Sequence, residues 1–133
     1  MISCYVDTSA FYAYLVRNDR FHGPVSDVLS RAVSENRPLF SSSFVLGETL
    51  GLLQFRHGVQ AAQRFMTDVY PMVMWRWVDA KMFADVWDIV IGSGRRSLTV
   101  VDASAVACIR ERAGSVCIAV DTDLTGFGFD VLP

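Results

Sequence analysis

The sequence predicts an α/β fold: a mostly parallel central sheet flanked by helices on both faces. Three observations carry that prediction. Residues 2–6 and 116–120 are short apolar runs of strand length, and each ends in an aspartate, Asp7 and Asp121. Between them lie segments whose apolar residues recur at helical spacing. The two kinds of segment alternate along the chain, and such alternation builds parallel sheets through right-handed crossovers.

The elements follow in order. After the first strand, residues 8–17 read as a helix, and Val25, Val28, Leu29 and Ala32 mark the inner stripe of a second. Arg37 and Pro38 punctuate the chain before a short strand at residues 39–41. Ser43 is the expected N-cap of a helix whose inward face carries Val45, Glu48, Leu52 and Phe55. Gly58 separates it from a helix with Ala62, Phe65, Met66 and Val69 on one face, which Pro71 ends before a strand-like run at 72–78. Asp79 restarts helix, with Ala80, Phe83, Ala84, Trp87 and Ile91 as its core-facing stripe until Gly92-Ser93-Gly94. Residues 98–101 form a short apolar run, and Asp102 opens a last helix with Val106 and Ile109 inward. Gly114 closes that helix, and residues 129–132 add an edge strand.

At 133 residues, with 52% hydrophobic and 12% aromatic content, the chain fits a single domain spanning residues 1–133. A net charge of -2 supplies no global basic field, so any nucleic-acid contact must come from local patches. The three cysteines, Cys4, Cys108 and Cys117, lack paired metal spacing and lie in apolar segments, which points to buried, reduced thiols. The N-terminus lacks a basic region and no apolar stretch reaches the roughly 18 residues a membrane helix needs, so the expectation is a soluble, cytoplasmic protein.

Chemistry is concentrated in four acids: Asp7, Glu48, Asp102 and Asp121. In open parallel sheets ligands gather beyond strand carboxyl ends, where Asp7 and Asp121 fall. An inward-facing Glu48 needs an arginine, a backbone amide or a cation, because a buried unpaired carboxylate costs several kcal/mol or takes up a proton. Asp7 and Asp102 each also suit helix capping, which is compatible with binding a cation. Asp123 shares one side of the chain with Asp121 if extended geometry continues, and is the reserve for that position. Crowded carboxylates repel and are neutralised best by a divalent ion, whose hard character matches oxygen ligands.

These residues carry a family resemblance over nearly the whole chain. Asp7 in Tyr-Val-Asp-Thr-Ser-Ala-Phe, Glu48 in Ser-Phe-Val-Leu-Gly-Glu-Thr-Leu, Asp102 in Ser-Leu-Thr-Val-Val-Asp-Ala-Ser-Ala-Val-Ala and Asp121 in Ile-Ala-Val-Asp-Thr-Asp-Leu resemble, in order and spacing, the acidic motifs of PIN domains of the VapC toxin type. The chain departs from that pattern at Ala119, where members often carry Thr, and at Leu124, where they often carry an aromatic residue. The resemblance implies a PIN-like three-layer sandwich and an endoribonuclease dependent on Mg2+ or Mn2+ that leaves a 5′-phosphate and a 3′-hydroxyl. It also implies a homodimer and an antitoxin whose flexible segment follows a hydrophobic groove and blocks the acidic pocket.

The expected roles are specific. Asp7, Asp102 and Asp121 ligate the metal, while Glu48 orients the attacking water or holds a second ion. Thr8, Ser9 and Thr122 are placed to hydrogen-bond the acids. An acidic pocket repels RNA, so cations around it must hold the phosphates; of the 12 Lys and Arg residues only Lys81 is a lysine. Arg95 and Arg96 are the first candidates, then Arg17 and Arg20. His22 and His57 lack ligand spacing and read as structural.

Two other functions compete. Asp121-Thr122-Asp123-Leu124-Thr125 matches the D-x-D-x-T pattern of haloacid-dehalogenase-like phosphotransfer enzymes, but that motif should begin a fold, and here it lies at its end. A non-catalytic PIN-like interaction module would keep the acids without a working pocket.

Overall fold

The computed structural model describes residues 2–133. Five parallel strands form its sheet: β1 (Cys4–Val6), β2 (Leu39–Ser42), β3 (Met74–Arg76), β4 (Val116–Ile118) and β5 (Val131–Leu132), in the order β3-β2-β1-β4-β5. Six helices join them: α1 (Thr8–Leu15), α2 (His22–Ser34), α3 (Ser43–His57), α4 (Val59–Asp68), α5 (Ala80–Ser93) and α6 (Val100–Glu111). The predicted parallel sandwich is therefore present. Strand order reverses between β1, which leads to β2 on one side, and β4 on the other, and in open parallel sheets ligands gather at the carboxyl edge of such a switch point.

The central strands are apolar without alternation, as strands covered on both faces must be: Cys4, Tyr5 and Val6 are all buried, as are Cys117 and Ile118. α6 is buried on every side from Asp102 to Ile109, and its alanines let it lie close to the sheet and to α5. Gly58, at φ 94, and Gly94, in the left-handed region at φ 63, turn the chain where a side chain would be strained.

Several local expectations need correction. The cap of α3 is Ser42, whose side chain accepts the Val45 amide, not Ser43. The inward face of α3 is Val45, Leu46, Thr49 and Leu53; Glu48 is exposed and Phe55 is 90% exposed. On α5 the buried side chains are Met82 and Val86, while Phe83, Trp87 and Ile91, expected in the core, face solvent. Asp102 does not open the last helix: Thr99 caps α6, which starts at Val100, and Asp102 lies inside its first turn.

Candidate active site

Asp7 follows β1 directly and Asp121 lies three residues beyond the end of β4, so adjacent strands at the switch point deliver both toward the carboxyl edge. Asp7 also caps α1, its Oδ2 accepting the Ser9 amide at 3.3 Å and the Ser9 hydroxyl at 2.8 Å. The same Ser9 oxygen accepts the Val120 amide at 2.9 Å, which ties Asp7 to the chain leading to Asp121.

Asp102 arrives from a helix. Thr99 Oγ1 accepts the Asp102 amide at 3.2 Å, and Asp102 Oδ2 accepts the Thr99 amide at 3.1 Å and the Thr99 hydroxyl at 3.2 Å. This reciprocal capping box fixes the carboxylate at the helix start, where the aligned peptide dipoles favour negative charge. Thr99 was not foreseen; the spacing Thr99-x-x-Asp102 was the available signal.

Asp7, Asp102 and Asp121 act on one another through their charges. Burial raises the Asp7 pKa to about 6, with Ser9 opposing and the charges of Asp121 and Asp102 adding to the rise. Asp102 is raised by burial, opposed by its bonds from Thr99 and pushed further by Asp121 and Asp123. Burial likewise raises Asp121, against the Asp123 amide that Asp121 Oδ1 accepts at 3.2 Å. No base relieves this repulsion: the ion pairs among the described residues are Arg37–Glu35 and Arg76–Glu111.

Each carboxylate keeps one oxygen without a protein donor: Oδ1 of Asp7, Oδ1 of Asp102 and Oδ2 of Asp121. Asp7 and Asp102 are buried, at 3% and 9% exposure, whereas Asp121 lies at the surface. Hard carboxylate oxygens crowded together with no neutralising base are what a divalent cation binds, so the donor set fits one. Among the described residues, however, no three His, Cys, Asp or Glu side chains are already gathered as a coordination shell. The carboxylates lie within electrostatic reach of one another.

The other predicted residues divide clearly. Glu48 projects from α3 into solvent and is no part of the charge coupling among the three aspartates. Of the three hydroxyls expected beside the acids, Ser9 is there, whereas Thr8 Oγ1 is buried without a partner and Thr122 bonds only through its backbone carbonyl. Arg95 reaches the loop of the fourth acid, donating to the Asp123 carbonyl at 3.3 Å and lying 4.9 Å from the Phe127 ring. Arg17 follows the far end of α1 and lines a separate groove, and Arg20 stacks on Phe21. His22 bonds the Ala13 carbonyl and His57 the Tyr12 hydroxyl, both structural uses.

Comparison with known proteins bears on this geometry. The family model described as PIN domain matches residues 4–129. No curated protein matches the sequence. Among solved structures, the chain is similar to VapC20 of Mycobacterium tuberculosis, a toxin that cleaves the sarcin-ricin loop, with 30% identity, TM-score 0.83 and coverage of 98% of this chain and 100% of that one. It shares its fold with FitAcB of Neisseria gonorrhoeae (14% identity, TM-score 0.72, 98% and 96% covered) and with DNA-bound VapBC of Salmonella typhimurium (14%, 0.68, 98% and 97%).

Proposed function

The chain belongs to the PIN domain family, and from that premise we propose that it is the toxin of a toxin–antitoxin pair, a divalent-metal-dependent endoribonuclease acting in the cytoplasm as a single domain over residues 1–133. One observation carries the reading. Three aspartates, two lying beyond the ends of β1 and β4 and one in the first turn of α6, repel one another through their charges, each keeping an oxygen with no protein donor among the described residues and no base to neutralise it.

Mg2+ or Mn2+ is the expected ion, held by Asp7, Asp102 and Asp121 with Asp123 in reserve. Bound there, it supplies charge neutralisation on the phosphate and a water activated for in-line attack. The chain's own residues do the rest. Ser9 and Thr99 orient the carboxylates, the buried pocket floor keeps the charges strong, and Arg95 and Arg96 hold phosphates at its edge. Glu48, on the exposed side of α3, acts by orienting the attacking water or holding a second ion once RNA covers it. Its exposure argues for that outer role and against direct ligation in the free protein.

Partners fit two surfaces. An apolar groove of about 930 Å³, floored by Phe11, Leu15, Leu29 and Val69 and edged by Arg17 and Arg64, suits an extended antitoxin segment. The exposed stripe Phe83, Trp87 and Ile91 on α5 suits a second copy of this chain, since one stripe meets itself across a two-fold axis. Among the described residues no helix is long and apolar enough to cross a membrane.

A non-catalytic module is the second reading, favoured by the absence of a gathered coordination shell. Incubation with single-stranded RNA and with a sarcin-ricin-loop oligonucleotide separates the two. The nuclease cleaves with Mg2+ or Mn2+, stops with chelator, and fails as Asp7→Asn or Asp102→Asn. A wild type that shows no cleavage and no calorimetric binding of Mn2+ would end the proposal.

A further inference from the structure

We propose that Tyr5, Ser42 and Ser104 form a buried chain of hydroxyls that sets the spacing between Asp7 and Asp102, which makes Tyr5 a positioning residue for cation binding; this rests on the metal-dependent reading above.

The three side chains are 0% exposed and come from the three elements that carry or lead to the acids. Tyr5 lies on β1, two residues before Asp7. Ser42 ends β2 and caps α3, the helix of Glu48. Ser104 lies on α6, two residues after Asp102. Tyr5 OH is 3.2 Å from Ser42 Oγ, which is 3.1 Å from Ser104 Oγ, which is 2.6 Å from the Val101 carbonyl oxygen.

The direction of every proton follows from the last link. A carbonyl only accepts, so Ser104 donates its single proton to Val101. Ser42 must then donate to Ser104, and Tyr5 must donate to Ser42, whose oxygen also accepts the Val45 amide. The chain thus has one arrangement, with each donor polarising the next in a water-free interior. It ends on the carbonyl of the residue directly preceding Asp102, so it fastens the first turn of α6 to β1 from beneath. The capping box holds the Asp102 carboxylate relative to its own helix, and the hydroxyl chain holds that helix relative to Asp7.

Removing the chain should let α6 shift against the sheet and alter the gap that a cation must bridge, while each acid keeps its own local hydrogen bonds. Tyr5→Phe retains the ring and deletes only the first donor; Ser104→Ala deletes the last hydroxyl, and with it the bonds to Ser42 and to the Val101 carbonyl. Ser115→Ala is the control, for Ser115 is also buried and donates to a carbonyl, that of Arg112 at 2.7 Å, just before the start of β4 and outside the chain.

The test is isothermal calorimetry with Mn2+ at a temperature well below the melting point of each protein, alongside thermal melts. The expected result is Mn2+ affinity about tenfold weaker in Tyr5→Phe and in Ser104→Ala, as for groups that orient metal ligands, with Ser115→Ala losing stability but no affinity. Wild-type affinity in both chain variants, or an equal loss in the control, overturns the positioning role while leaving the metal site standing. A wild type that binds no Mn2+ overturns the metal-dependent reading itself, and this inference with it.

Discussion

Ser9 donates its hydroxyl to Asp7 Oδ2 at 2.8 Å while accepting the Val120 amide at 2.9 Å. One small side chain therefore serves both strands of the switch point. Because its bonds favour the ionised carboxylate, they hold the Asp7 pKa below where burial alone would put it. Ser9→Ala should raise that pKa further, moving the acid limb of the pH–rate profile for RNA cleavage to higher pH, with a stability loss of about 1 kcal/mol. An unchanged acid limb would show that Asp7 does not set it.

Asp7 also governs the stability of the metal-free protein. Its folded pKa of about 6 lies above the ordinary carboxylate value of 3.8. A raised acid stabilises the fold below its unfolded pKa, and that contribution is lost as pH climbs through the folded pKa. In chelator, lowering the pH from 7 to 5 should therefore add about 1 kcal/mol. Asp7→Asn should remove this dependence and melt higher than wild type at pH 7, yet lose RNA cleavage about 100-fold or more. Chemical denaturation at both pH values checks the stability, and a lower midpoint for Asp7→Asn at pH 7 would refute the sign.

Thr99 links helix stability to the site, since its hydroxyl both receives the Asp102 amide and donates to the Asp102 carboxylate. Thr99→Ala should cost about 1 kcal/mol through the lost cap. It should also weaken Mn2+ binding, because Asp102 loses a bond that fixes its rotamer. Thr99→Ser should restore both in calorimetry and thermal melts.

Trp87 is 48% exposed, between Phe83 and Ile91 on the outer stripe of α5. If two copies meet there, Trp87→Glu should convert a dimer to a monomer by light scattering. The substitution lies outside the core, so its effect on monomer stability should stay within about 0.5 kcal/mol. A dimer that survives the change would move the contact elsewhere.

The sheet and the position of Asp7 were legible because a buried parallel strand writes itself as a short apolar run, and the residue after it falls at the carboxyl edge; the run expected at 116–120 ends as strand at Ile118, which leaves Asp121 three residues further on. The facing of α3 and α5 was not legible. On α5, Phe83, Trp87 and Ile91 form one apolar stripe and Met82, Val86, Ile89 and Val90 another, and a helix apolar on two sides does not declare which side is inward. The inward facing expected for Glu48 failed because it was inferred from Phe55, which is itself exposed. Asp102 was read as opening the last helix after an apolar run, yet the Thr99 cap starts that helix earlier, at Val100. Tyr5, Ser42 and Ser104 could not be paired in advance, since their meeting depends on the crossing of three separate elements.

Cys4 on β1 pairs with Val116 and Cys117 on β4 pairs with Tyr5, at 2% and 0% exposure, and Cys108 sits in α6 at 1%. Burial also raises the pKa of all three thiols, so none offers a reactive thiolate to a passing oxidant. An alkylating reagent can find them only in moments when strands or helix part. These sulfurs are thus native clocks: their rate of modification times the opening of the scaffold under the aspartates, without any label having to be engineered in.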